Sequence, residues 1–176
     1  RARRGIGARS LDLGADAVGQ EGDRLAHQLS EPLGDWRYVW HAAQRGDARE
    51  IERLLRPYVG TADYLRVLDA PRPYDGTTPL WIAAAAGRTD AVRYLAAHGA
   101  HVDAPRVTVD PHGVEQGDYA TPLYIAARLG HLDVVQLLVG TFAADLGRAA
   151  SDGATPLWAA CHSGHAPVAR ELVTHA

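Results

Sequence analysis

Apolar and polar positions along this chain follow a pattern that returns. Three segments align: Thr78-Pro79-Leu80-Trp81-Ile82-Ala83-Ala84, Thr121-Pro122-Leu123-Tyr124-Ile125-Ala126-Ala127 and Thr155-Pro156-Leu157-Trp158-Ala159-Ala160-Cys161. Each is followed three residues later by Gly87, Gly130 or Gly164. A second apolar run comes next: Ala91, Val92 and Leu95; Val134, Val135 and Leu138; Val168, Ala169 and Leu172. A degenerate copy precedes them, Val39-Trp40-His41-Ala42-Ala43 with Gly46, then Ile51, Leu54 and Leu55. Spacings of this kind place apolar side chains on one face of a helix. Each unit therefore predicts two short helices.

The local chemistry agrees. Thr before Pro caps a helix, and Pro takes the first helical position, where its missing N–H is no loss. Paired alanines make a narrow face that lets a second helix approach, and the glycine ends the first helix and turns the chain. One such pair cannot bury its own apolar face, but stacked pairs form one continuous core. Cys161 falls at an alanine-pair position and is expected to be a small buried filler.

The spacing is uneven. Thr121 to Thr155 is 34 residues, near the ~33 of a common helical repeat. Thr78 to Thr121 is 43 and Gly46 to Gly87 is 41. Extra residues in a solenoid become loops on one face. The first excess lies around Pro57 to Pro73, and the second runs from Ala104 to Asp118. Within the second, Val107-Thr108-Val109 alternates like a strand and Asp110-Pro111-His112-Gly113 reads as a turn before Val114, which predicts a lengthened hairpin. Residues 1–35 lack the period and read as a leader or N-terminal cap, with a short helix expected in the stretch from about Glu21 to Leu33, ending near Glu31 because Pro32 restricts the residue before it. The repeat region is expected over 36–176, with units of about 36–72, 73–115, 116–149 and 150–176.

Composition narrows the function. The chain has 176 residues, 47% hydrophobic and 22% charged, which suits a packed domain. A net charge of −3 and a pI near 6.3 do not point to nucleic acid or an anionic membrane, both of which favour basic surfaces. No apolar run approaches the ~18 residues of a membrane span. The single cysteine, Cys161, excludes an intrachain disulfide and fits a reducing compartment. The expected location is intracellular and cytoplasmic. All 18 basic residues are Arg, so a phosphate-binding Gly-Lys motif is impossible. Cys161, His162 and His165 lie close in sequence, but Gly164 interrupts their helix, and no nucleophile sits beside a base. No enzyme activity, cofactor or metal is expected.

Thr-Pro-Leu, the alanine pair, the glycine and the later Leu recur together and in order. In this the chain resembles the ankyrin repeat family from about Tyr38 to Ala176. The resemblance implies an all-α solenoid of antiparallel helix pairs with hairpin fingers, here with two fingers lengthened. It also implies a protein partner, held by fingertips and by the exposed, concave face of each first helix. Carried onto this sequence, the fingertips are Tyr74, Asp75 and Thr77, then Gly117, Asp118 and Ala120, then Ser151, Asp152 and Ala154, with Tyr119 beside the second set as a further candidate contact. The helix positions are Gln44 and Arg45, Ala85 and Ala86, Arg128 and Leu129, and His162 and Ser163. The long finger adds Val107, Val109 and His112.

The departures matter. The family commonly carries His just after Thr-Pro-Leu; here that place holds Trp81, Tyr124 and Trp158, with Trp40 in the degenerate copy. An aromatic row of this kind either packs between repeats or meets a partner. Gly76 and Gly153 precede two of the Thr-Pro-Leu helices, whereas Tyr119 stands at that place in the middle. A side chain there disfavours positive φ, so a different turn is expected. No Met begins the chain, and Val168, Leu172 and Val173 call for cover, so further repeats or domains of a longer product are expected. The rival reading of function is a structural or regulatory segment of a multidomain enzyme or channel, packed against its own chain.

Overall fold

The computed structural model describes residues 37–176 apart from 74, 110, 111 and 113. These residues belong to a unit that runs from Asp35 to Ala176. The leader expected over 1–35 and its short helix, the fingertip Tyr74 and most of the expected turn after Val109 lie outside the described residues.

Among the described residues four helix pairs follow one another. They are α1 (Arg37–Arg45) with α2 (Ala48–Leu55), α4 (Pro79–Ala85) with α5 (Thr89–Ala97), α6 (Pro122–Leu129) with α7 (Leu132–Gly140), and α8 (Pro156–His162) with α9 (Ala166–Thr174). First helices pack on first helices along the stack, second helices on second helices, and each pair on itself. No helix among the described residues is long and apolar enough to cross a membrane.

The predicted caps are present. Thr78, Thr121 and Thr155 side chains accept hydrogen bonds from the backbone N–H of Trp81, Tyr124 and Trp158, with Pro inside each helix start. Gly46, Gly87, Gly130 and Gly164 all take positive φ at the pair turns. The core is the stripe the pattern named: Leu80, Leu123, Leu95 and Leu138 are fully buried, as are Ala83, Ala84, Ala126 and Ala127.

Cys161 departs from expectation. Ala84 and Ala127 at the same repeat position are buried under the next pair, whereas Cys161 is exposed. Among the described residues no helix pair covers that side of α8, and this accounts for the difference.

The first excess lies where the spacing placed it but does not lengthen a finger. It forms a 3-10 turn, Arg56–Tyr58, and a short helix α3, Tyr64–Leu68. Val67 and Leu68 are buried, and α3 packs on α2. The first finger itself is tight: Arg72 N–H donates to Thr77 C=O at 2.9 Å. The second finger is long, as expected. Its strands β1 (Thr108–Val109) and β2 (Glu115–Gln116) pair antiparallel, Thr108 opposite Gln116. The third is one residue shorter than the first, closed by Ala150 N–H to Ala154 C=O at 2.9 Å.

Tyr119 overturns another expectation. It keeps the left-handed turn, with φ of 54°, beside Gly76 at 67° and Gly153 at 81°. Asp118 holds it there, since its Oδ1 accepts from Ala120 N–H at 3.2 Å. Asp75 does the same for Thr77 and Asp152 for Ala154. A side chain in this region costs roughly 1–2 kcal/mol. Tyr119→Gly is therefore expected to stabilise the domain by about 0.5–1 kcal/mol after the added entropy of glycine is offset. Urea unfolding checks this, and a loss of stability would show that Tyr119 contacts outweigh the strain.

Candidate functional site

The aromatic row ties the first three pairs to the fingers that follow them. Trp40 Nε1 donates to Ala70 C=O at 2.8 Å, and Trp81 Nε1 to Ala120 C=O at 2.9 Å. Tyr124 packs with Ala120, Ala150, Ala154 and Ala159 in one buried cluster. Trp40 and Tyr124 are each 6% exposed, whereas Trp158 is 50% exposed. Trp158 stacks on His162 with ring centroids 4.5 Å apart.

A second ladder runs along the pair turns. From the second pair on, the residue after the turn glycine reaches back to the preceding pair: Arg88 Nε donates to Gln44 C=O at 3.2 Å. His131 Nε2 lies 3.0 Å from Ala85 C=O, and His165 Nε2 lies 3.1 Å from Arg128 C=O. Each ring or guanidinium arm sits on the glycine behind it. A Cβ on Gly87 would come within 2.7 Å of His131, and one on Gly130 within 2.6 Å of His165. His165 is thus turned to the backbone and His162 to Trp158, away from any shared ion.

The fingers carry their own polar network. Arg72 donates to Asp75 Oδ2 and Thr77 Oγ1, both at 2.8 Å. Burial works to raise the Asp75 carboxyl, but hydrogen bonds from Thr77 and Arg72 outweigh it and hold it below the usual range. Arg106 grips Asp118 side-on, with Nε donating to Oδ1 and Nη2 to Oδ2, and lies over the Trp81 ring, 5.2 Å from its centroid. Ser151 N–H donates to Asp118 C=O at 2.8 Å, which joins the second finger to the third.

Six residues nominated from the sequence come together. Tyr124, Arg128, Asp152, Trp158, His162 and Ser163 line one groove of about 210 Å³, with Ala159. Burial, then the Asp152 charge, push the Tyr124 phenol above its usual range; Arg128 opposes this and Asp118 adds to it. Val107 and Val109 line a separate cleft of about 450 Å³ between the first two fingers, with Pro71, Pro73 and Gly76. His112 and Tyr119 are exposed elsewhere on the long finger, and Arg45 and Leu129 on the first helices. Thr77 is 1% exposed and Trp81 is half-buried, both held within the fingers. The sequence reading passes over Arg72 and Arg106. Their signal was the tetrapeptide Asp-Ala-Pro-Arg, which occurs at 69–72 and again at 103–106.

Stacked helix pairs with capped starts, glycine turns and projecting fingers define a helical repeat solenoid, whose surface rather than an enclosed cavity is available for recognition. A family model described as ankyrin repeats (3 copies) matches residues 20–106 and 107–176. The chain belongs to the ankyrin repeat family, whose members are generally protein–protein interaction modules and typically not catalysts. Among curated proteins no sequence matches it.

Proposed function

We propose that this domain binds a protein partner across its fingers and the concave face of its first helices. The observation that supports this reading most is the groove of Tyr124, Arg128, Asp152, Trp158 and His162. A half-exposed tryptophan beside charged groups, on a rigid frame, is the kind of surface that concentrates binding energy. Pre-stacked repeats also lose little freedom when the partner docks.

The test is capture of a partner by the whole chain, followed by affinity measurement with variants. Trp158→Ala is expected to weaken binding by about 30-fold, equivalent to roughly 2 kcal/mol. Shortening 106–116 is expected to weaken it further while helical content stays the same. A partner held equally by wild type and by both variants would sink this reading.

A second reading, a structural or regulatory segment of a larger enzyme or channel, is favoured by one surface. Leu157, Cys161, Ala169 and Val173 line an apolar hollow of about 610 Å³. At the same positions one pair earlier, Leu123, Ala127, Val135 and Val139 are buried.

A further inference from the structure

The third finger lacks a side chain that the first two possess. Those two begin Asp69-Ala70-Pro71-Arg72 and Asp103-Ala104-Pro105-Arg106. The arginine closes its finger through the backbone, Arg72 to Thr77 and Arg106 to Ala120. It closes it again through the guanidinium, on Asp75 and Asp118. In the second finger the guanidinium also covers the aromatic ring of the preceding first helix, Trp81.

The third finger keeps the frame of this arrangement. Ala150 N–H closes it on Ala154 C=O, Asp152 accepts from Ala154 N–H at 3.0 Å, and Tyr124 occupies the place of Trp81. The arginine is replaced by Ala150. Among the described residues no ion pair within 4.0 Å reaches Asp152. Beside Asp152 and Tyr124 lies the groove of about 210 Å³.

We propose that this groove receives an arginine side chain of the partner protein, which completes the third finger as Arg106 completes the second. The guanidinium would pair with the Asp152 carboxylate and lie along the exposed Trp158 indole. This rests on the protein-binding reading above and adds the chemistry of the contact. A planar guanidinium offers parallel N–H groups to a carboxylate and stacks on an aromatic ring, and an ammonium does neither as well. Arg128 also lines the groove and opposes an incoming cation, so a partner carboxylate on Arg128 is the competing occupant. The arginine–aspartate pairing is favoured because this chain already makes it in two fingers.

The experiment is a titration of the isotope-labelled whole chain, observed by NMR, with N-acetyl-L-arginine amide and with its lysine and glutamate counterparts. The arginine probe is expected to shift the Trp158 indole N–H and the Ala154 amide saturably, about five-fold more tightly than the lysine probe. Asp152→Asn is expected to weaken this by about ten-fold. Arg128→Ala should tighten it. Ala150→Arg, which installs the missing side chain, should abolish it and leave signals from the other pairs in place. Should Ala150→Arg fail to fold, Asp152→Asn alone decides. Response to the glutamate probe alone, or arginine binding unchanged in Asp152→Asn, would overturn the proposal. If the arginine probe fails while Trp158→Ala still releases a captured partner, the binding reading stands and only its arginine chemistry falls.

Discussion

Replacing Gly76 by alanine is expected to destabilise the stack by about 3 kcal/mol or more, among the larger effects a single methyl can have. Gly76 has φ of +67°, and an added Cβ would come 2.0 Å from the Val107 carbonyl oxygen and 2.3 Å from its carbon. Both atoms are backbone, so no side-chain rotation relieves the overlap. The long finger would have to move away from the first, against its anchorage through Arg106 and Asp118. Gly153 supplies the control. It has φ of +81° at the same repeat position and nothing within 4 Å of an added Cβ. Gly153→Ala should therefore cost only the backbone term, about 1 kcal/mol. Equilibrium urea unfolding of the two variants separates contact from conformation. Equal losses would mean that the close approach of the fingers contributes nothing.

The second large effect is a gradient along the stack. Leu80, Leu123 and Leu157 share one repeat position. Leu123 is fully buried, and Leu123→Ala should cost about 2–5 kcal/mol through lost burial and the cavity left behind. Leu157 is partly exposed, its site can relax into solvent, and Leu157→Ala should cost about 1 kcal/mol. Thermal unfolding of both variants measures the difference. A Leu157 loss as large as that of Leu123 would show that this position contributes through its own helix rather than through the neighbouring pair.

These positions were legible in the sequence because local chemistry fixes them. Thr-Pro sets a helix start, a glycine three residues past the alanine pair sets the turn, and the leucines follow a helical stripe. The strand over Thr108–Val109 was legible for the same reason. What failed depends on neighbours in space. Prolines and tyrosines between Pro57 and Pro73 read as loop, yet burial of Val67 and Leu68 against α2 draws part of that segment into α3. Cys161 looks buried from its own helix and is exposed because of what lies beyond it. Tyr119 is held at positive φ by Asp118, which Arg106 of the same finger and Ser151 of the third fix in turn. Of the candidate site, the residues of the groove were named one by one, but nothing in a one-dimensional spacing brings Tyr124 beside Asp152 and Trp158. The empty arginine place at Ala150 emerges only when the three fingers are laid over one another.

The ladder of Arg88, His131 and His165 has a direction. Every donor belongs to the later pair, and every acceptor is a backbone carbonyl of the earlier one, over a glycine already in place. During synthesis from the N-terminus, each emerging pair finds its ladder acceptor on a surface that has left the ribosome before it. The stack can therefore be assembled like a zip with one slider, one completed pair templating the next. A chain halted after a pair boundary would keep every rung made so far, while its last pair, like Cys161 here, would wait for cover.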